Sequence, residues 1–121
     1  MTATPASHPF EIREHDEGGT HVIAMRGELD LATAPRLAVR IDAARRTRAR
    51  RLLVDLTTAD FCDSTGLRAI IGCRQEVVAH GGRMVVAVAP DSAVGRMFAL
   101  AGAPELLPVY DTADAALAAL A

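Results

Sequence analysis

From Phe10 to His15 apolar and polar residues alternate (FEIREH), the period of a half-buried strand. Gly18 and Gly19 supply a turn, and Thr20 to Arg26 (THVIAMR) reads as a second strand, so the chain opens with a β-hairpin. Residues 27–32 are expected to form a loop. A helix then starts at Thr33 as N-cap, with Pro35 tolerated in its first turn. Leu37, Ile41 and Ala44 recur at helical spacing as its buried stripe, with Arg36, Arg40 and Arg45 outward. Arg51 to Leu56 carries the run Leu52-Leu53-Val54, short and apolar as a strand buried on both faces should be. A loop over 57–63 leads to a second helix with Leu67, Ile70, Ile71 and Val78 inward, ended by Gly81 and Gly82. Met84 to Ala89 is another buried strand. Pro90 and Asp91 open a third helix reaching Leu100, which Gly102 stops. Leu106 to Val109 reads as a short strand, and Asp111 caps a final Ala/Leu helix.

The order ββαβαβα(β)α implies right-handed crossovers between parallel strands plus an antiparallel opening pair. The expected fold is α/β: a small mixed sheet of four or five strands packed with about four helices. With 121 residues, half of them hydrophobic and 23% charged, one continuous core is expected. Residues 10–121 read as a single domain behind a small, polar, flexible tail over 1–9. Only 3% of residues are aromatic, so the core must be aliphatic. The formal net charge of −2 argues against a dedicated nucleic-acid binder. All thirteen basic residues are arginine, and seven fall between Arg36 and Arg51. No aromatic residues interleave them, so a solvated helix face is the better reading. Neither a secretory leader nor a run of about 18 apolar residues is visible, so a cytoplasmic protein with reduced thiols is expected. Cys62 and Cys73 form no CxxC pair and read as small core residues near the second helix.

Chemistry concentrates in Asp55 to Ile71 (DLTTADFCDSTGLRAII), where a buried strand, a loop and the start of a helix follow one another. In an open α/β sheet, the carboxyl end of a strand beside a helix start is where ligands bind. The first N–H groups of that helix are unpaired and carry partial positive charge, which suits a phosphate on Ser64. Taken alone, however, Asp or Ser before a helix is most often just an N-cap and Gly66 a space-saving residue, so Asp63-Ser64 by itself does not identify a phosphosite. The stretch Arg26-Gly27-Glu28-Leu29-Asp30 has the same two readings, a polar loop or a pair of carboxylates offered to a partner. A serine hydrolase does not fit: Ser64 sits in D-S-T-G rather than G-x-S-x-G, and no histidine is placed to serve it. His and Cys show no metal-ligand spacing, so neither metal nor cofactor is expected.

GELDLATAPRL, then LLVDLTTADFCDSTGLRAII about thirty residues on, then GGRMVVAVAPDSAVGRMFALAG, resemble in order the STAS domain of bacterial anti-sigma factor antagonists. The resemblance runs from about Phe10 to Leu120. It implies a non-enzymatic switch protein whose unphosphorylated form binds an anti-sigma factor, commonly a serine kinase, and so frees the sigma factor. The kinase then phosphorylates the serine after the aspartate of D-S-[ST]-G, and a phosphatase restores it. Carried over, the phosphoacceptor is Ser64; Asp63, Thr65, Gly66 and Arg68 flank it, and Asp30, with Glu28, maps to the family's partner-contacting G-E-L-D segment. Arg68 departs from the family pattern by standing where a second glycine is common; it reads either as an ordinary solvated helix residue or as one that alters partner choice or holds a phosphate. Ala99 replaces a frequently acidic residue. The resemblance also implies a monomer when free. The alternative within the fold is a non-switching interaction subunit of a stress-signalling or lipid-transport assembly.

Overall fold

The computed structural model describes residues 8–47 and 49–121. Strands β1 (Glu11–Glu17), β2 (Thr20–Leu29), β3 (Arg51–Asp55), β4 (Ala59–Cys62), β5 (Arg83–Ala87) and β6 (Val109–Tyr110) make one mixed sheet. Helices α1 (Ala34–Arg46), α2 (Ser64–Ala79), α3 (Ala93–Leu100) and α4 (Ala113–Leu120) connect and cover it, with a single 3-10 turn over 103–105. The sheet order is β1-β2-β3-β5-β6, with β1 antiparallel to β2 and every other pair parallel; β4 pairs with β2. The expected α/β architecture is therefore present, with one strand more than the sequence pattern showed.

That strand has a local cause. The Asp55 side chain accepts hydrogen bonds from the Thr57 N–H and hydroxyl, 2.9 and 2.6 Å, and turns the chain at the end of β3. Residues 59–62 then re-enter beside β2 where β3 has stopped. β2 correspondingly runs on through Leu29 instead of giving way to a loop at Gly27, and its register shifts between Gly27 and Glu28. Gly27 has φ +89°, and a Cβ there would lie 2.8 Å from the His8 carbonyl oxygen and 2.9 Å from Phe10 Cα. Glycine alone meets both demands.

Strands β3 and β5 are buried on both faces because each face has its own cover. Ile23, Met25, Leu52, Val54, Met84 and Val86 pack with Leu37 and Ile41 of α1, Leu67, Ile70 and Val77 of α2, and Val94 and Phe98 of α3. The alternate residues Val22, Leu53, Val85 and Ala87 meet Ala116 and Leu120 of α4. Period-two alternation thus divides one continuous apolar run between two cores. β1, the edge strand, is largely exposed and rich in charge, which discourages further edge pairing.

Other expectations need adjusting. On α2 the buried residue is Val77, over which Gly82 closes (its Cβ would lie 2.9 Å from Val77 Cγ1), while Val78 is exposed. Thr33 stands at the N-cap of α1, but its side chain makes no capping bond to the helix N–H groups. Helices α3 and α4 are capped by Ser92 and Thr112, whose hydroxyls accept from the Gly95 and Ala115 N–H groups, rather than opening on Asp91 and Asp111. Arg45 is half-buried against Asp42 instead of pointing outward. The last strand is shorter than expected, since only 109–110 pair with β5. Gly102, with φ +69°, ends α3 as anticipated. Residues 1–7 of the expected tail lie outside the described residues, but His8 is pinned: its N–H and Nδ1 contact the Asp60 carboxylate at 2.8 and 3.1 Å.

Opposite the helix starts, the sheet is tied to α4. Arg51 and Arg83, register partners at the beginnings of β3 and β5, donate to the Leu120 carbonyl, each at 3.3 Å. Arg83 also donates to the Ala119 carbonyl at 2.8 Å, and Arg51 reaches the Gly18 carbonyl in the hairpin turn at 3.3 Å. Guanidinium groups thereby satisfy carbonyls left open at the negative end of a helix.

A charged cluster joins the hairpin to α1. The His21 ring lies 2.8 Å from Glu14 and 3.0 Å from Asp16, and Arg40 of α1 donates to Glu14. Burial works against the charge on each group, but the hydrogen bonds prevail: His21 titrates above its ordinary value and Glu14 below its own. The His21 contribution is therefore complete below about pH 6.5 and lost as pH rises through its elevated folded value, whereas Glu14 contributes above its ordinary range and loses as pH falls. Thermal unfolding between pH 6 and 8 should show stability declining with pH, and His21→Gln should flatten that slope; an unchanged slope in the variant would exclude His21 as its source.

The first turn of α2 lies against the end of β2. A Cβ on Gly66 would stand 2.7 Å from the Leu29 carbonyl oxygen, 2.8 Å from Leu29 Cγ and 3.0 Å from Cys62 Sγ. Gly66→Ala should therefore destabilise the domain by about 1–3 kcal/mol, the usual range for overpacking, measurable by urea unfolding; wild-type stability in the variant would show that the helix can shift freely.

Candidate functional site

The carboxyl ends of β2 and β4 lie side by side, with Glu28 paired to Phe61 and Leu29 to Cys62. The Asp63 N–H continues this ladder by donating to the Leu29 carbonyl at 3.1 Å. Asp30 and Asp63, thirty-three residues apart in sequence, thus follow directly on paired neighbours. Helices α1, α2 and α3 each begin at this end of the parallel strands.

Asp63 has extended backbone, and its Oδ1 accepts the Gly66 N–H at 2.8 Å. It is the N-cap of α2, with its carboxylate partly committed. Ser64 is the next residue, the first of the helix, and it is exposed. Among the described residues its hydroxyl makes no hydrogen bond, so an incoming group displaces nothing. Thr65 is half-buried. Gly66 is buried and lets the turn approach β2 closely. Arg68 is exposed one turn further on.

Asp30 shapes the turn before α1. Its Oδ1 accepts from the Ala32 N–H at 3.0 Å and the Thr33 N–H at 3.1 Å, an Asx-type turn. The Thr33 hydroxyl accepts from the Asp30 N–H at 2.9 Å and donates to the Glu28 carbonyl at 2.7 Å. Asp30 is half-buried, and its Oδ2 makes no hydrogen bond among the described residues. Glu28 is half-buried on β2 beside Phe61.

Beneath the site, Cys62 is buried and burial pushes its thiol up to about 12, so it remains a protonated core group. Burial also raises the half-buried Cys73 thiol. Cys62 belongs to the core and Cys73 packs against it, as the sequence suggested. Among the described residues no cluster of His, Cys, Asp and Glu could hold a metal ion. The site offers an exposed hydroxyl, carboxylates and a cation on a rigid frame, a surface that can be modified and recognised.

Sequence reasoning missed two apolar members of this end. Leu31 in the turn after Asp30 is 76% exposed, and Phe61 on β4 is 42% exposed. Exposed large apolar side chains beside polar groups suit a protein interface. The run TTADFCD shows no strand alternation, since Ala59 and Cys62 are its buried residues, so nothing in the pattern marked Phe61 as outward. Arg36, expected to be a solvated residue, lies over the Phe10 ring with its guanidinium 4.7 Å from the centroid, a cation–π contact that holds the residues before β1 against α1.

The STAS domain family model matches residues 11–116. An anti-sigma F factor antagonist from Paenibacillus polymyxa is 29% identical over 113 residues, covering 92% of this chain and 95% of that protein. The crystal structure of an anti-sigma factor antagonist from Mycobacterium paratuberculosis superposes with a TM-score of 0.84 at 30% identity, over 95% of this chain and 98% of that one. SpoIIAA of Bacillus in its phosphorylated form has the same fold, with a TM-score of 0.65 at 22% identity, covering 93% of this chain and 100% of its own. With the hairpin, the crossover helices and the β2–β4 junction in place, the chain belongs to the STAS domain family.

Proposed function

We propose that this protein is an anti-sigma factor antagonist that works by partner switching, with Ser64 as its phosphoacceptor. The observation that carries the reading is an exposed, unengaged Ser64 hydroxyl at the first position of α2, one residue after the capping Asp63 and beside the Asp30 turn. The similarity to two anti-sigma factor antagonists over nearly the whole chain supports it. In this reading the unphosphorylated form binds an anti-sigma factor that is itself a serine kinase, and the sigma factor is released. The protein catalyses nothing, acts in the cytoplasm as a monomer when free, and is restored by a serine phosphatase.

Physical chemistry makes one phosphate sufficient. Transfer of the γ-phosphoryl group of ATP to Ser64 Oγ releases ADP and the hydroxyl proton, leaving a group of about −1.5 to −2 charges near neutral pH. The unpaired N–H groups at the start of α2 favour an anion there by roughly 0.3–1 kcal/mol, so the fold tolerates the modification. A docked partner does not. Its surface, fitted to a neutral hydroxyl, would enclose a dianion near the Asp30 and Asp63 carboxylates. A penalty of about 3 kcal/mol weakens binding more than a hundredfold. Phe61 and Leu31 supply the apolar contact of the docking face; Asp30, Glu28, Thr65 and Arg68 supply its polar part.

Calorimetric titration with a candidate anti-sigma factor should show Ser64→Ala binding as tightly as the unmodified protein and Ser64→Asp binding at least tenfold more weakly. Mass spectrometry after incubation with that kinase and ATP should place the phosphate on Ser64. Equal affinities for the two variants, or transfer to another residue, would remove Ser64 from the switch.

A further inference from the structure

We propose that Arg68 is the counter-ion, within the same helix, of a phosphate on Ser64, so that modification both adds negative charge to the docking face and withdraws a cation from it. The inference rests on the Ser64 reading above and specifies its regulation. Ser64 and Arg68 are four residues apart within α2, and both are exposed. Residues at that spacing lie on one helix face with Cβ atoms about 5–6 Å apart, within reach of a guanidinium and a phosphate.

Arg68 has no competing partner. Among the described residues its guanidinium forms no hydrogen bond or ion pair. Arg36 of α1 is engaged differently, lying over the Phe10 ring. The carboxylates at this end are tied into local structure: Asp63 to the Gly66 N–H, Asp30 to the 30–33 turn and Asp60 to His8. Glu28 is half-buried on β2 and is itself engaged. A phosphate arriving on Ser64 therefore finds one uncommitted cation on its own helix face, and guanidinium–phosphate pairing is bidentate and geometrically specific. Before modification the same guanidinium is available to a carboxylate on the partner. Afterwards it is occupied.

The test needs no kinase. Phosphoserine can be installed at position 64 during translation, and its second ionisation followed by phosphorus NMR at low salt. An exposed pair of this kind should hold the phosphate pKa about 0.2–0.7 unit lower in the parent than in Arg68→Gln. Arg68→Lys should retain part of the shift, because it keeps the charge but not the fork. Arg50→Gln, a charge change at the start of β3 and hence at the opposite end of the sheet, should leave it unmoved. Salt at 1 M, where the screening length is about 3 Å, should shrink the difference. Coincident curves for the parent and Arg68→Gln at low salt, in samples shown by circular dichroism to be folded, would overturn the ion pair. That result would leave the switch itself standing, whereas failure of any kinase to modify Ser64 would remove the switch without touching the ion-pair measurement.

Discussion

The contact between the first turn of α2 and the last residues of β2 governs how this molecule presents itself. The Asp63 N–H is bonded to the Leu29 carbonyl, and Gly66 lies so close to that oxygen that no side chain fits between them. A helix start is thereby fixed against a strand end, and the Asp30 turn and Ser64 become neighbours although they are far apart in sequence. One exposed hydroxyl, a carboxylate turn and a cation are thereby carried on elements that share one end of the sheet. The same device recurs at α3, where the Ser92 hydroxyl caps the Gly95 N–H and a Cβ on Gly95 would clash with the Ala89 and Pro90 carbonyls.

The core beneath explains why a domain with so few aromatic residues can hold that contact. Both faces of β3 and β5 are covered, three helices on one side and α4 on the other, so short aliphatic runs are removed from water completely. Burial of aliphatic area on both faces replaces the large rings that a one-sided sheet of this size would need. Charge is kept to the edge strand β1, the outer helix surfaces and the two ends of the parallel strands. In the proposed switch, modification at Ser64 would act on a surface whose foundation it does not disturb.

Much of this was legible in the chain. The apolar run Leu52-Leu53-Val54 announced a strand buried on both sides, Gly102 marked the stop of α3, and the D-S-T-G segment marked the start of α2. What escaped was determined by pairing at a distance. β4 carries no alternation of its own and becomes a strand only because β2 outlasts β3 and offers an empty edge. The extension of β2 is concealed by Gly27, which reads as a turn residue but serves a register shift and the close passage of residues 8–10. Val77 rather than Val78 is buried because Gly82 folds the chain back over it. At the site, the residue types were readable, but the internal commitments of Asp30 and Asp63 were not, since those depend on N–H groups that local turns bring within reach.

The arginine clamp at the far end separates the molecule's two duties. Because Arg51 and Arg83 hold the closing carbonyls of α4 at the starts of β3 and β5, the backbone at Ala121 emerges on the side away from Ser64. Anything joined there, whether a fused module or an affinity handle, departs from the pole opposite Ser64 and leaves the Ser64 face clear. Such a domain can be tethered or appended there without covering the Ser64 end of the sheet.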